Sequence, residues 1–295
     1  MEKQYYEQGD TIILNQTQDF HIQHILECGQ CFRFEKIEEN VYQLIAHRKK
    51  LRIGQEKNQI TFYPMSMEEF TTLWITYFDL ERDYGVIKQQ LSQQDPILQE
   101  AISYKPGIRI LRQDPWECLI SFIISQNKRI SHIQQVIHYL CEAFGDKINA
   151  EDGSSYYTFP TPQQLAKATE TDIRGCKAGF RAPYIVDACH KVIHGEVDLQ
   201  NLYQLPTSQA KQELLKIKGV GPKIADCVLL FAYGRYEVFP TDVWIQRMMK
   251  IFYLGEEATH QQIQQYAKEK FGNLGGFAQQ YLFYYGREKQ ITKKQ

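Results

Sequence analysis

The residues of this chain best suited to covalent chemistry fall in one stretch, Leu214-Leu-Lys-Ile-Lys-Gly219-Val-Gly221-Pro-Lys223-Ile-Ala-Asp-Cys227. A helix ends near Ile217, Gly219-Val-Gly221 makes a turn too tight for side chains, and Pro222 opens a second helix. The whole forms a helix-hairpin-helix over about 207–233. Its glycines let backbone N–H groups approach a phosphate, and the second helix adds the positive end of its dipole. Lys223 lies in the first turn of that helix, where the dipole disfavours an ammonium and favours the neutral amine. A neutral amine is a nucleophile able to form a Schiff base. Cys227 follows four residues on, so both side chains share a helix face. Nineteen residues past the lysine, Val238-Phe-Pro-Thr-Asp242 places a carboxylate at a helix start. Backbone N–H groups would keep it ionised and able to stabilise a nearby cationic sugar. Singly, these residues have plainer readings: a solvated lysine beside a core cysteine, and an N-cap.

The elements that must position them make an α+β chain. With 295 residues, 43% hydrophobic and 23% charged, it can bury a core, and wholesale disorder is excluded. β-branched or alternating segments at 31–37, 41–47, 50–54 and 59–63 suit an antiparallel meander. Ser66 then caps a helix to about Leu80. Asp95-Pro96 and Asp114-Pro115 each set a capping carboxylate before a first-turn proline. Helices are expected over 96–104, 115–125, 131–144, 162–170, 181–194, 207–217, 222–233, 242–253, 260–270 and 276–288. An N-terminal β-rich domain (1–100) therefore packs on a larger helical domain (101–295). The net charge of −1 conceals an asymmetry: 10 Lys and Arg against 16 Asp and Glu in residues 1–100, then 24 against 19. Such a balance permits a local basic face for nucleic acid. No apolar run suits a membrane span or secretory signal, and seven cysteines, an odd number with no C-x-x-C pair beyond Cys28 and Cys31, point to a reduced, cytoplasmic setting.

Gly219-Val-Gly221-x-Lys223 followed by Val238-x-Pro240-x-Asp242 resembles the helix-hairpin-helix, Gly/Pro…Asp superfamily of DNA glycosylases. Within it, the chain is similar to the 8-oxoguanine DNA glycosylases with AP-lyase activity. The likeness runs from Gly29-Gln-Cys-Phe-Arg33 through Leu111-Arg-Gln-Asp-Pro115, Ser121-Phe-Ile-Ile-Ser-Gln-Asn127 and Gly179-Phe-Arg181. It ends at Gly276-Phe-Ala-Gln279-Gln-Tyr-Leu-Phe283. It implies an enzyme of base excision repair that flips a damaged base out of duplex DNA. Lys223 would attack C1′ and form the Schiff base from which the 3′ phosphate is eliminated, while Asp242 stabilises the cationic transition state. The carbonyl of Gly29 would accept the N7–H that 8-oxoguanine has and guanine lacks. Gln279 would read the Watson–Crick edge, with the base stacked between Phe283 and Cys227. Asn127 would fill the gap left in the duplex, Phe180 would wedge the opposite strand, and Arg181 would contact the opposing base. Formamidopyrimidine lesions are further expected substrates, and the resemblance implies a monomer from a bacterium or archaeon.

The chain departs from the family at several positions. His132 stands where eukaryotic members have a second arginine, which relaxes the expected preference for opposite cytosine. Lys128 and Arg129 replace neutral asparagines and add phosphate contacts. Trp244 replaces a phosphate-binding histidine, with Arg247 or Lys250 as compensating cations. No cysteine follows Cys227, so no iron–sulfur cluster of the endonuclease III kind is expected. No cofactor is required, although the carbonyls of Leu215, Ile217 and Val220 could bind a monovalent cation. The competing readings are a non-catalytic DNA-binding hairpin and a superfamily glycosylase for another base.

Overall fold

The computed structural model describes residues 5–15, 19–150 and 153–291. Its N-terminal part is a six-stranded antiparallel sheet in the order β1-β2-β6-β5-β4-β3. The strands are β1 (Tyr5–Gln8), β2 (Thr11–Asn15), β3 (Phe34–Glu38), β4 (Val41–Ala46), β5 (Lys49–Glu56) and β6 (Gln59–Tyr63). The expected meander is β3 to β6, with Ile53 opposite both Tyr42 and Phe62. Alternation sets its inner face: Tyr42, Leu44, Leu51, Ile53, Ile60 and Phe62 are buried against Phe70, Trp74 and Phe78.

Four strands and two helices were not expected, two of the strands forming a separate antiparallel pair inside the helical part, Lys147–Asn149 with Ser155–Tyr157. β1 and β2 extend the sheet beyond β6, and short helices run over Ile22–Leu26 and Tyr84–Gln94. The segment after Ser66 is capped as foreseen, with the serine oxygen accepting Glu69 N–H at 3.2 Å, but it passes through a π-helical stretch at Phe70–Trp74. The helix expected over 162–170 is instead two, Pro162–Leu165 and Glu170–Gly175. Thr161 and Thr169 each close a capping box, so a second start interrupts the first helix. The helix expected to 253 ends as α-helix at Met249 and continues as a π-turn over Lys250–Leu254.

The caps at Asp95 and Asp114 form as read, with Asp114 Oδ1 accepting Glu117 N–H at 2.9 Å. The Pro115–Ser125 helix that follows is apolar on all sides and forms the centre of the helical core. Its Phe122 stacks on Phe231 of the Pro222–Phe231 helix, 5.5 Å between ring centroids. The helical core also takes in Cys28 and Phe32, from the segment before β3, and Tyr84, Ile87 and Leu91. The two cores therefore interleave along the chain, and the 27–33 segment joins them.

Candidate active site

The hairpin is built by Thr207–Leu215, a turn, and Pro222–Phe231. Gly219 turns the chain at φ +81°, and a Cβ there would stand 2.3 Å from a ring carbon of Tyr184. Val220 N–H then donates to Ile217 O at 3.0 Å. Asp187 anchors the turn to the Ala182–Ile193 helix, accepting Lys218 N–H at 2.7 Å and lying 3.1 Å from Lys191 Nζ. Gly221 is different. Its backbone is extended, and nothing lies within 4 Å of where a Cβ would be.

The start of the second hairpin helix opens on a cavity of about 880 Å³. Lys223 and Asp242 both line it, with Gly29, Phe122 and Phe283. Lys223 Nζ lies 5.4 Å from the centroid of the Phe122 ring. One turn on, Cys227 is buried, with the Lys223 amine close enough to act on it. Burial pushes its thiol up to about 11 against the pull of that amine, so it is a neutral neighbour at physiological pH. Asp242 caps the Val243–Met249 helix, accepting Ile245 N–H at 2.9 Å. The cap was expected to hold this carboxylate firmly ionised. Burial outweighs it: desolvation pushes the carboxyl above its usual range, against the downward pull of Ile245 N–H, Lys223, Trp244 N–H and Arg287.

Gly29 sits in a loop fastened from four sides. Gln280 Nε2 donates to Cys28 O at 3.0 Å, and Arg287 Nη2 to Glu27 O at 2.7 Å. The buried Gln30 side chain bonds Ile25 O, Arg109 O and Leu111 N, while Gln113 Nε2 holds Gln30 O at 2.7 Å. Gly29 is at φ +83°, and a Cβ would meet Phe283 at 3.1 Å and Arg287 Nη1 at 3.2 Å. Gln279, Phe283 and Arg287 recur at four-residue spacing on the Gly275–Glu288 helix. Gln279 is 5% exposed, yet its Oε1 has no hydrogen-bond partner. A buried polar atom left unpaired is costly and marks a place awaiting a ligand group. Cys227 and Gln279, both buried, are not among the residues that line the cavity.

Asn127, Lys128 and Arg129 form another part of the rim. The Pro115–Ser125 helix ends with Gln126 as its C-cap. Asn127 follows it in the left-handed region at φ +51°, exposed. His132 is exposed in the first turn of the Ile130–Phe144 helix, and Phe180 is 48% exposed. Arg181 was expected to reach outward and does not. It is 3% exposed and donates to Gln126 O and Ala178 O, which ties the Asn127 turn to Gly179–Arg181. Trp244 lines the cavity and Arg247 packs over its ring at 4.9 Å, so the two form one surface. Arg287 and Phe122 were missed by sequence reasoning. Arg287 was signalled by its place one turn beyond Phe283, and Phe122 carried no signal beyond apolarity. Among the described residues, no group of three or more His, Cys, Asp or Glu could hold a metal ion. No described helix is long and apolar enough to cross a membrane.

Comparison with known proteins finds relatives over most of the chain. Residues 12–119 match the family described as 8-oxoguanine DNA glycosylase, N-terminal domain. Residues 120–273 match HhH-GPD superfamily base excision DNA repair protein. The chain is 30% identical to a probable N-glycosylase/DNA lyase of Methanothermobacter thermautotrophicus over 237 residues, covering 74% of this chain and 73% of that one. Among solved structures it is similar to MBOgg1 bound to a low-affinity DNA ligand, with TM-score 0.95 and 46% identity over 99% of this chain and 100% of that one. It is also similar to Clostridium acetobutylicum 8-oxoguanine glycosylase/lyase bound to dsDNA containing cytosine opposite 8-oxoG. That match has TM-score 0.94 and 42% identity over 97% and 98% of the two chains.

Proposed function

This chain belongs to the HhH-GPD superfamily of base excision DNA repair proteins and carries the N-terminal domain of its 8-oxoguanine glycosylases, and from that membership and its cavity we infer the reaction it performs. It is a bifunctional DNA glycosylase and AP lyase that excises 8-oxoguanine from duplex DNA. The observation that carries this reading is the single cavity lined by an amine, a carboxylate and the glycine loop.

In our assignment, Lys223 Nζ attacks C1′ of an extruded nucleotide. The N–C1′ bond forms as the C1′–N9 bond breaks, and the base leaves with the bonding pair and takes up a proton. Asp242 as carboxylate stabilises the positive charge that develops on the sugar. Opening of the sugar ring gives the Schiff base. Removal of a C2′ proton then expels the 3′ phosphate and cuts the strand. Gly29 O takes the N7–H, Gln279 the Watson–Crick edge, and Phe283 one face of the base. The exposed Asn127 and Phe180 suit the gap and the wedge, while Gly221, Lys128, Arg129, His132 and Arg247 suit the phosphates. Arg181, being buried, serves by holding the Asn127 turn. Formamidopyrimidines share the N–H donor and enter by the same loop.

The reaction balances with amine and carboxylate alone, and no further cofactor takes part. The neutral carbonyl oxygens of Leu215, Ile217 and Val220 are donors suited to a hard monovalent cation at the hairpin. Ile217 O keeps a lone pair after accepting Val220 N–H. The likeness to proteins of Methanothermobacter thermautotrophicus and Clostridium acetobutylicum supports a bacterial or archaeal cytoplasm, where we assign it as a monomer acting on chromosomal DNA. Borohydride present during turnover should trap the protein covalently on 8-oxoguanine duplex. Lys223→Gln should abolish trapping and cleavage while leaving damaged-duplex binding intact. A persisting adduct would place the nucleophile elsewhere, and loss of folding would make Lys223 a structural residue.

A further inference from the structure

Arg287 has no role in the assignments above, yet it is the charged side chain nearest the recognition glycine. Its guanidinium lies 5.4 Å from the Phe283 ring centroid and 5.0 Å from that of Tyr284. Nη2 is committed to Glu27 O at 2.7 Å. Nη1 is buried and has no hydrogen-bond partner, although it lines the cavity side of Gly29, 3.2 Å from where a Cβ would project. The guanidinium is also ion-paired through Nη2 with Glu288 at 3.2 Å, but Nη1 is desolvated and left without an acceptor, which folding alone does not reward. The adjacent bond to Glu27 O holds the planar guanidinium in place, so Nη1 is a fixed donor.

We propose that Arg287 Nη1 donates a hydrogen bond to O8 of the extruded 8-oxoguanine, reading the second of the two atoms that distinguish this base from guanine. The inference rests on the assigned base pocket and deepens it. Gln279 and Arg287 are eight residues apart, about 12 Å along one helix, with Phe283 between them. A base stacked on Phe283 with its Watson–Crick edge at Gln279 directs its five-membered ring toward Gly29 and Arg287. O6 then lies at the Gln279 end, and the acceptor beside N7 at the arginine end is O8. Gly29 accepts from N7–H while Arg287 donates to O8. Guanine offers neither partner, because its N7 is an acceptor facing the Gly29 carbonyl and its C8 carries only hydrogen.

The test is a cycle of binding measurements in the Lys223→Gln background, with and without Arg287→Leu. The duplexes contain 8-oxoguanine, 8-thioguanine or a tetrahydrofuran abasic analogue. 8-Thioguanine keeps N7–H, O6 and the Watson–Crick edge but weakens the acceptor at C8. The steric effect of sulfur is common to both proteins and cancels in the cycle. With Arg287 present, 8-oxoguanine should bind roughly tenfold or more tightly than 8-thioguanine, the range of a charged hydrogen bond. Arg287→Leu should erase most of that ratio and leave abasic binding unchanged. An equal loss on both bases means that Arg287 reads O6 or the loop, and an equal loss on all three duplexes means a structural role. Either result overturns the proposal. If Arg287→Leu fails to fold, Arg287→Lys carries the same cycle, because a flexible ammonium lacks the planar fork that aims Nη1 at the base while Nη2 holds Glu27 O. An undamaged guanine duplex is measured alongside with Arg287 intact, and no preference for 8-oxoguanine over it would instead sink the underlying reading of the pocket.

Discussion

At Asp242 two effects oppose each other: the helix N-terminus favours the carboxylate and burial disfavours it, and burial wins. A protonated Asp242 cannot stabilise a cationic sugar, so excision should weaken as pH falls, starting above the ordinary aspartate value of about 3.9. Single-turnover excision followed across mildly acidic pH checks this. A rate that holds down to the ordinary aspartate range would contradict the shift. Asp242→Asn should slow excision by about 10²–10³, the usual cost of losing one preorganised electrostatic group; a near-native rate would leave Asp242 only a cap. The position of this carboxylate was legible because the Pro240-x-Asp242 spacing announces a helix start. Its raised affinity for protons was not, because spacing says nothing of what closes over a cap. The same limit applies to Arg181. Its place beside Phe180 was plain, but its turn inward to Gln126 depends on a partner 55 residues away.

Between the helices, the two hairpin glycines separate folding from binding. Gly219→Ala imposes a side chain at φ +81° and drives its Cβ into Tyr184. It should destabilise the fold by about 1–3 kcal/mol, visible as a lower melting temperature. Gly221→Ala meets no atom and keeps an ordinary extended backbone. Its stability should stay within about 0.5 kcal/mol of wild type, with a nearly unchanged melting temperature, while affinity for duplex DNA drops, since only an approaching phosphate would feel the new methyl. Comparable losses of stability in both variants would show that both glycines serve the fold alone. Elements with chemical punctuation were read well: Asp95-Pro96 and Asp114-Pro115 start helices where foreseen. Elements without it were not. β1 is too short and polar to alternate, and the Tyr84–Gln94 helix is rich in glutamine and has little apolar face. The π-helical turns at 70–74 and 250–254 lie within apolar helical patterns, which carry no mark of a change from four-residue to five-residue spacing.

Over the whole molecule, the two-part architecture was readable because the hydrophobic period changes from two to about three and a half near residue 66. Where the parts lock together was not, because that depends on long-range pairs such as Gln280 with Cys28 and Arg33 with Glu117. The second pair makes stability depend on pH. Arg33 follows the recognition loop, Glu117 lies in the first turn of the central helix, and their side chains are 8% and 15% exposed at 3.5 Å. Burial raises the Glu117 carboxyl from its ordinary 4.5 to about 7, and the guanidinium offsets this only in part. Between those values the folded state binds more protons than the unfolded chain, so stability falls as pH rises and the loss is complete above about 7. The 2.5-unit interval corresponds to about 3 kcal/mol. Glu117→Gln keeps an acceptor for Arg33 without the buried charge. It should melt higher than wild type in mildly alkaline buffer, with the difference shrinking as pH is lowered toward the unfolded value. If the variant is instead the less stable protein at alkaline pH, the Coulomb attraction to Arg33 exceeds the desolvation cost, and the joint between sheet and helices is held by its ion pair.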